Sequence, residues 1–273
     1  MKTLENHTLL YDDDCPLCRV YTKGFIDAEM LDKNGKKPYC NLSQEDQIFI
    51  DLKRAANEIA LVDTKNKTVL YGIDSLLKVI GHSFPWMKTV GNWKPVNWFL
   101  KKLYKFISYN RKVIIPSKIN PDIKLQCVPE FNTKYRIFYM VFASIITAFT
   151  LYKYSNLTEI LPKGSFTREF ILAIVQMGFQ SLFIIKFDKQ KMINYLGNLM
   201  TVSLLGSLIL MPFLITNHFF KMPQIAVHGW FGFTVLILFI DHFKRVKILE
   251  LPTYLCLSWV LYRTIALIVI LNC

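Results

Sequence analysis

The sequence has few cysteines for its length, and several common catalytic motifs are missing from it. Its six cysteines lie at positions 15, 18, 40, 127, 256 and 273, which does not make the disulfide framework of a small secreted domain. No His-Glu-x-x-His motif, P-loop or Gly-x-Ser-x-Gly motif occurs in the chain. Residues 1–8 contain no apolar run, so we expect no cleavable signal peptide. The cysteines at 15 and 18 are therefore the most informative chemistry in the sequence.

Charge is distributed unevenly along the 273 residues. Residues 1–130 contain 20 Lys or Arg and 15 Asp or Glu, whereas residues 131–273 contain 13 and 5 and are dominated by long apolar runs. This division predicts one aqueous domain and one domain in lipid. We expect a soluble domain over residues 1–115, a proline-containing linker over 116–133 and a helical membrane domain over 134–273.

Acidic residues are absent between positions 75 and 121, where nine Lys or Arg alternate with aromatic residues. Within this segment, residues 98–107 have apolar positions at near-helical spacing. This pattern predicts an amphipathic helix, which either lies among anionic lipid headgroups or covers the core of the soluble domain. Because the basic residues flank apolar spans, we do not expect a nucleic-acid partner.

Five apolar segments are each close to the length that crosses a bilayer. They are Ile137–Tyr154, Phe170–Phe187, Leu196–Thr216, Ile225–Phe243 and Leu251–Leu271. Basic residues concentrate before the first span, between the second and third, and between the fourth and fifth. The positive-inside rule then predicts an inner-membrane protein with its N-terminal domain in the cytoplasm and its C-terminus outside.

Near the N-terminus, an apolar strand leads into the segment Tyr-Asp-Asp-Asp-Cys-Pro-Leu-Cys at positions 11–18, which precedes a predicted helix over Arg19–Met30. Cys15 and Cys18 then lie at a helix N-terminus, where unpaired N–H groups favour a thiolate. Pro16 suits the first turn of a helix. The expected chemistry is attack by Cys15 on a disulfide and resolution by Cys18, which requires no cofactor.

Other interpretations of the cysteine pair remain open. A zinc site needs four ligands, and Cys40 with His7 or His82 fits no standard spacing, so we predict no metal. The pair is also compatible with an inert or vestigial role. The three aspartates before Cys15 oppose formation of the thiolate.

The segment Tyr11-Asp12-Asp13-Asp14-Cys15-Pro16-Leu17-Cys18 resembles the signature of the DCC family of thiol-disulfide oxidoreductases. The similarity continues through residues 71–77 and a basic, aromatic segment ending at Tyr109-Asn110-Arg111. It implies a thioredoxin-like α/β fold, protein-disulfide reductase activity, catalytic Cys15 and Cys18, and supporting roles for Tyr11, Asp12, Asp14 and Pro16. Asp13 stands where the family usually has glycine.

The remaining expected elements fit such a fold. Strands are predicted at His7–Tyr11, Pro38–Leu42, Glu58–Val62 and Thr68–Tyr71. Helices are predicted from a Ser43–Asp46 cap to Asn57 and over Ser75–Ile80. The sequence thus predicts an α/β thioredoxin-like domain followed by an all-α bundle of about five membrane helices.

Arg263 is the most unusual residue of the apolar part, because it lies in the middle of the fifth span. Gln176 and Gln180 share one face of the second span and are candidate partners, as is His228. This set predicts either a buried site for an anionic headgroup, quinone or substrate, or polar packing between helices.

Three functions therefore follow from the sequence. The first is a membrane-anchored protein-disulfide reductase whose partners are a disulfide-containing protein or thiol substrate and the lipid bilayer. The second is a non-catalytic subunit of an inner-membrane complex. The third is a membrane enzyme or transporter centred on Arg263, with a redox-sensing cysteine pair.

Overall fold

The computed structural model describes residues 2–117, 125, 127, 130–160 and 162–272. The chain folds into two compact units, which comprise residues 1–132 (unit 1) and 133–273 (unit 2). Much of the predicted linker, and Cys273, lie outside the described residues. Leu125 and Cys127, from the same stretch, pack against the core of unit 1.

Unit 1 is built on a mixed sheet of four strands. The strands are β1 (His7–Tyr11), β2 (Lys36–Pro38), β3 (Ala60–Asp63) and β4 (Thr68–Tyr71), in the order β2-β1-β3-β4. β1 runs parallel to β2 and antiparallel to β3, and β3 and β4 form an antiparallel hairpin. A parallel β-α-β unit beside such a hairpin agrees with the predicted thioredoxin-like α/β fold.

Six α-helices complete the described part of unit 1. They are α1 (Pro16–Asp27), α2 (Gln44–Gln47), α3 (Leu52–Asn57), α4 (Ile73–Ser83), α5 (Pro85–Asn92) and α6 (Lys94–Ile114). α1 forms the crossover between the two parallel strands, as a parallel connection requires. α4 and α6 follow the hairpin and pack near its strands.

Both faces of the sheet are buried, because successive side chains of a strand point to opposite sides. In β3, Ala60 and Val62 belong to one core cluster, which also contains Leu10 and Tyr39. Leu61 belongs to the other cluster, which contains Leu9, Leu31, Ile59 and Val79. The strands therefore appear in the sequence as continuous apolar runs rather than alternating ones.

Several boundaries differ from the sequence prediction, three of them near the cysteine pair or in the segment that follows it. α1 begins at Pro16, three residues earlier than expected, because Cys15 is its N-cap. The strand predicted over Pro38–Leu42 ends at Pro38, and Tyr39–Asn41 form a 3₁₀ turn that carries Cys40. The Ser43–Asp46 capping box is confirmed, but the predicted helix divides into α2 and α3, with Asp51 capping the second.

The described part of unit 2 consists of five long helices. They are α7 (Thr133–Ser155), α8 (Phe166–Ile184), α9 (Lys189–Phe219), α10 (Gln224–Ile248) and α11 (Tyr254–Asn272), and each overlaps one predicted span. Among the described residues, α7, α9, α10 and α11 are long and apolar enough to cross a membrane. α8 is not among these four, and it carries Arg168, Glu169, Gln176 and Gln180.

Small residues permit close contacts between the helices of unit 2. A Cβ atom added at Gly206 on α9 would lie 2.8 Å from Leu238 Cδ1 on α10. The Leu238 side chain would have to shift to accept a larger residue here, as expected for small residues at helix interfaces in membranes.

Candidate redox site

The end of β1 and the start of α1 hold the two cysteines. The Cys15 N–H donates to the Asp12 carbonyl at 3.2 Å, and the Cys15 carbonyl accepts from the Arg19 N–H at 3.1 Å. Cys15 is the N-cap of α1, Pro16 opens the first turn and Cys18 is the third helical residue. The Cys15 side chain thus lies at the N-terminus of α1, where the backbone N–H of Cys18 favours its thiolate.

The two thiols are unequal acids. A hydrogen bond from the Cys18 thiol, aided by the Cys18 backbone N–H and the positive charge of Arg111, lowers the pKa of Cys15 to about 6, although burial and Asp12 oppose the shift. The same hydrogen bond to Cys15, together with burial, raises the pKa of Cys18. Cys15 is therefore a thiolate at neutral pH, while Cys18 retains its proton.

A buried ion pair lies behind the thiols. Arg111 Nη2 is 3.6 Å from Asp12 Oδ2, and Lys112 Nζ is 3.7 Å from the same oxygen. Arg111 Nη2 also donates to the carbonyls of Ala56 at 3.0 Å and Cys127 at 2.7 Å. Asp12 and Arg111 are only 5% and 7% exposed, so this arrangement fixes a positive charge near the thiolate with little screening by solvent.

Two tyrosines complete the surroundings of the thiols. Tyr11 and Tyr21 pack with Cys15 and Cys18 in one small apolar cluster. The Tyr21 hydroxyl hydrogen-bonds Cys18, and burial raises its pKa well above the usual value. Tyr21 therefore stays neutral and helps to orient the second thiol.

A shallow pocket of about 60 Å³ opens beside this cluster. Its walls are formed by Tyr11, Asp12, Asp13, Asp14, Tyr39, Cys40, Leu125 and Cys127. Both motif thiols are buried, at 3% and 5% exposure, so a substrate disulfide reaches Cys15 only after local rearrangement. Burial raises the pKa of Cys127 to about 12, so this thiol is unreactive at neutral pH.

The supporting residues named from the family resemblance all lie at this junction. Tyr11 and Asp12 are buried beside the thiols, and Pro16 starts α1. Asp14 is exposed, and its N–H donates to Asp12 Oδ1 at 3.1 Å.

Sequence reasoning did not assign Arg111, Lys112 or Tyr21 to the site. In the sequence, Arg111 is only the last residue of the basic, aromatic segment, and it lies some 90 residues from the cysteines. The available signal was Asp12, because an acid that ends a buried strand needs a cation as partner.

The residues considered for a metal site do not meet. His7 lies near Asp63, His82 contacts the Thr3 carbonyl, and Cys40 lies at the pocket. Within the described part of the chain, no group of three His, Cys, Asp or Glu side chains is arranged to hold a metal ion.

In unit 2, Gln176 and Gln180 lie on α8 and Arg263 lies on α11. Gln180 Oε1 accepts hydrogen bonds from Tyr195 at 2.9 Å and Ser258 at 3.0 Å. The Arg263 guanidinium lies 5.1 Å from the ring centre of Trp259, which stacks on His242. His228 instead contacts the Gln224 carbonyl of its own helix at 2.7 Å.

This polar region of unit 2 contains buried hydrogen-bond donors without an acceptor. Four N–H groups in it have no hydrogen-bond partner among the described residues: Gln176 Nε2, Gln180 Nε2, Trp259 Nε1 and Arg263 Nε. In an apolar surrounding each unpaired donor is costly. Sequence reasoning missed Tyr195, His242, Ser258 and Trp259, which come from three different helices.

Comparison with known proteins supports the same assignment. Residues 9–115 match the model of the DCC1-like thiol-disulfide oxidoreductase family. No curated protein and no solved structure matches the chain. Residues 9–115 thus form a DCC1-like thiol-disulfide oxidoreductase domain, in a multi-pass membrane chain that continues into four helices capable of crossing a bilayer.

Proposed function

We propose that this membrane thiol-disulfide oxidoreductase acts as a protein-disulfide reductase, with Cys15 as nucleophile and Cys18 as resolving thiol. One observation carries the proposal. Cys15 caps α1 and receives a hydrogen bond from Cys18, which with Arg111 holds its pKa at about 6. An ionised thiol beside a protonated partner is the state from which a disulfide is reduced.

In the first step, the Cys15 thiolate attacks one sulfur of the substrate disulfide. The substrate S–S bond breaks, a mixed disulfide forms between Cys15 and the substrate, and the second substrate sulfur leaves as a thiolate that takes up a proton. The leaving sulfur carries the charge that Cys15 has lost.

The second step follows from the same contacts. Once Cys15 is in the mixed disulfide, the negative charge that raised the pKa of Cys18 is gone. Cys18 then loses its proton more readily and attacks Cys15 Sγ, which releases the substrate as a dithiol. Two electrons and two protons pass to the substrate, and the Cys15–Cys18 disulfide awaits an external thiol reductant.

The cytoplasmic face of an inner membrane suits this direction of transfer. Basic residues cluster around the start of α9, at Lys186, Lys189 and Lys191, and in the last turns of α10, at Lys244, Arg245 and Lys247. They support that orientation by the positive-inside rule. Glutathione and thioredoxin systems keep thiols reduced on that side. The proposed partners are disulfide-containing proteins or small thiols that reach the membrane surface.

Insulin reduction by the full chain in nanodiscs, with dithiothreitol as donor, tests the proposal. Cys15→Ser should reduce the rate to that of dithiothreitol alone, because no other thiol of the site is ionised at neutral pH. Cys18→Ser should accumulate a mixed disulfide with the substrate, visible on a non-reducing gel.

The matched control is Cys40→Ser, which removes a thiol at the neighbouring pocket and should retain the activity. Full activity of Cys15→Ser would contradict the proposal. If a Cys15→Ser/Cys18→Ser chain also rescued a strain that lacks the gene, we would assign the protein a non-catalytic role in a membrane complex.

The unpartnered donors of unit 2 favour a second candidate function for the helices. We infer that Arg263, Gln176 and Gln180 bind an anionic, oxygen-rich head group, because the cluster carries a positive charge and spare N–H groups. We leave His228 out of the proposed site, because its Nδ1 contacts the Gln224 carbonyl of its own helix.

Native mass spectrometry of the full chain with added phosphatidylglycerol or palmitate tests the second function. Arg263→Met should weaken retention of one of these ligands at least about ten-fold, as expected for loss of a charged hydrogen bond. Lys153→Met, the same change on α7, should leave it unaltered. Equal retention by both variants would assign Arg263 to helix packing.

A further inference from the structure

The α6 helix has two apolar faces, and the described residues of unit 1 cover one of them. On the covered face, Tyr104 accepts the Ile59 N–H at 2.8 Å, and Ser108 and Arg111 are buried. On the opposite face, Trp98 and Phe99 are 64% and 57% exposed. A stretch of exposed large side chains on one helix face indicates a binding surface.

The exposed face continues onto α5 and the junction between the helices. We call it the α5–α6 surface. Its exposed apolar members are Trp86, Val90, Trp93, Trp98, Phe99 and Leu103, and its exposed lysines are Lys88, Lys94, Lys102 and Lys105. Three of the five tryptophans of the chain are therefore on this surface.

The chemistry of the surface matches lipid headgroups. No acidic residue occurs between positions 75 and 121, so α5 and α6 themselves carry no negative charge, and Asp74, which contacts α6, is paired with Lys101 at 3.2 Å. The Lys102 ammonium lies 5.9 Å from the ring centre of Trp98, so the positive charge and the indole are close neighbours. Indoles beside lysines are the composition of helices that lie in the interface of anionic membranes.

Chain connectivity keeps unit 1 close to a bilayer. The Glu130 N–H donates to Asn57 Oδ1 at 2.6 Å, which fixes this residue on unit 1. α7, which is capable of crossing a membrane, begins at Thr133. Three residues extend at most about 11 Å. Unit 1 is therefore tethered at the surface of any membrane that α7 enters.

We propose that the α5–α6 surface docks unit 1 onto an anionic leaflet, with its indoles among the headgroups and its lysines on the phosphates. Arg111, beside the thiols, lies 12 residues beyond Phe99 on the same helix, or about 18 Å along its axis. Docking would thus hold Cys15 near the membrane surface. The inference does not depend on the direction of thiol chemistry, because it concerns a surface away from the cysteines.

Hydroxyl-radical footprinting tests the docking without any label. The full chain is placed, one copy per disc, in nanodiscs of phosphatidylcholine or of phosphatidylcholine with phosphatidylglycerol. Oxidation of Trp93 and Trp98, read by mass spectrometry, should be at least about three-fold slower in the anionic discs, because lipid covers the indoles. Ile48, an exposed residue of unit 1 off this surface, should be oxidised equally in both.

A matched pair of variants separates charge effects from general ones. The first variant, Lys94→Gln/Lys102→Gln/Lys105→Gln, should no longer protect Trp93 and Trp98 from oxidation. Each lysine near an anionic surface contributes about a five-fold gain in affinity. The control variant, Lys23→Gln/Lys33→Gln/Lys65→Gln, removes the same charge from other exposed positions, and its tryptophans should remain protected. Protection should also weaken at 0.5 M salt.

Two results would overturn the inference. Equal oxidation of Trp98 in neutral and anionic discs would show that no anionic lipid covers the surface. Protection that appears only when a disc holds two copies of the chain would assign the surface to self-association instead.

Discussion

At the scale of single residues, Asp12 places a negative charge next to a thiol that must ionise. Its charge acts against the Cys15 thiolate, and burial does the same. The hydrogen bonds from Cys18, aided by the charge of Arg111, outweigh both effects on the pKa of Cys15. Asp12 in turn holds Arg111 in place through the contact at 3.6 Å. The burial of Arg111 lowers its own pKa, but the charges of Asp12 and the thiols outweigh burial, so its pKa is raised and it stays charged.

The first prediction concerns the pH dependence of Cys15. Alkylation of Cys15 by iodoacetamide should increase as the pH rises through about 6 and then level off, because the thiolate is the nucleophile. Arg111→Gln should move the midpoint upward, since it removes a charge that favours the thiolate. Each unit of upward shift lowers the rate at acidic pH about ten-fold. The measurement is peptide mass spectrometry of the full chain across pH.

Lys23→Gln is the control for this experiment, since it removes an exposed positive charge further along α1. Its midpoint should stay near that of the unaltered chain. If Arg111→Gln had the same midpoint as well, the Cys18 hydrogen bond alone would account for the acidity of Cys15.

The second prediction concerns Asp12. Asp12→Asn leaves the buried Arg111 without its countercharge, which should cost about 3 kcal/mol of stability. Asp14→Asn changes an exposed neighbour and should cost less than about 0.5 kcal/mol. Pulse proteolysis of unit 1 in increasing urea measures both. Equal midpoints for the two variants would mean that Arg111 finds sufficient compensation in its two carbonyl contacts.

At the scale of elements, α6 links the sheet to the thiols. Its Tyr104 accepts the Ile59 N–H, its Ser108 donates to the Asn57 carbonyl, and its last turn supplies Arg111. These contacts join the start of β3 to a helix some 45 residues later in the chain. The position of the guanidinium therefore depends on how α6 seats on the sheet.

The third prediction follows from that seating. Tyr104→Phe removes the acceptor of the Ile59 N–H and should destabilise unit 1 by about 1–2 kcal/mol, the usual cost of a buried group left without a partner. It should also slow alkylation of Cys15 at pH 6, because Arg111 is held less firmly. If stability fell but the alkylation of Cys15 did not change, the Tyr104 contact would stabilise the fold without affecting the acidity of Cys15.

At the scale of the whole molecule, the number of spans decides on which side the C-terminus lies. Five crossings put the ends of the chain on opposite sides of the membrane, whereas four put them on the same side. α8 decides between the two, because it is not among the four membrane-capable helices and carries Arg168 and Glu169 in its first turn.

The fourth prediction is that alkaline phosphatase fused after Cys273 is active, which requires the C-terminus to lie outside the cytoplasm. A green fluorescent protein fusion at the same position should then remain dark in cells. The opposite pair of results would indicate four crossings, with α8 lying along the membrane or within the bundle. Green fluorescent protein fused before Met1 should fluoresce in either case, because the N-terminus is expected in the cytoplasm.

The sequence alone determined the class of this protein, because its signals are local. A strand that ends in a cysteine pair, a Ser43–Asp46 cap and long apolar runs each act within a few residues, and each is found close to where it was predicted. The family resemblance added the expected fold and chemistry on the same local motif. Boundaries such as that between α2 and α3 were missed, since tertiary packing divides a continuous helical pattern there.

Only the tertiary structure decided which distant residues share a site. Asp12 and Arg111 are about 100 residues apart, and no periodicity relates them; they meet because a buried carboxylate must find a cation once the sheet excludes water. In the same way, Tyr195, His242 and Trp259 join Arg263's neighbourhood from three helices, and His228 does not. Burial forces polar groups to pair, and the fold determines with which partner.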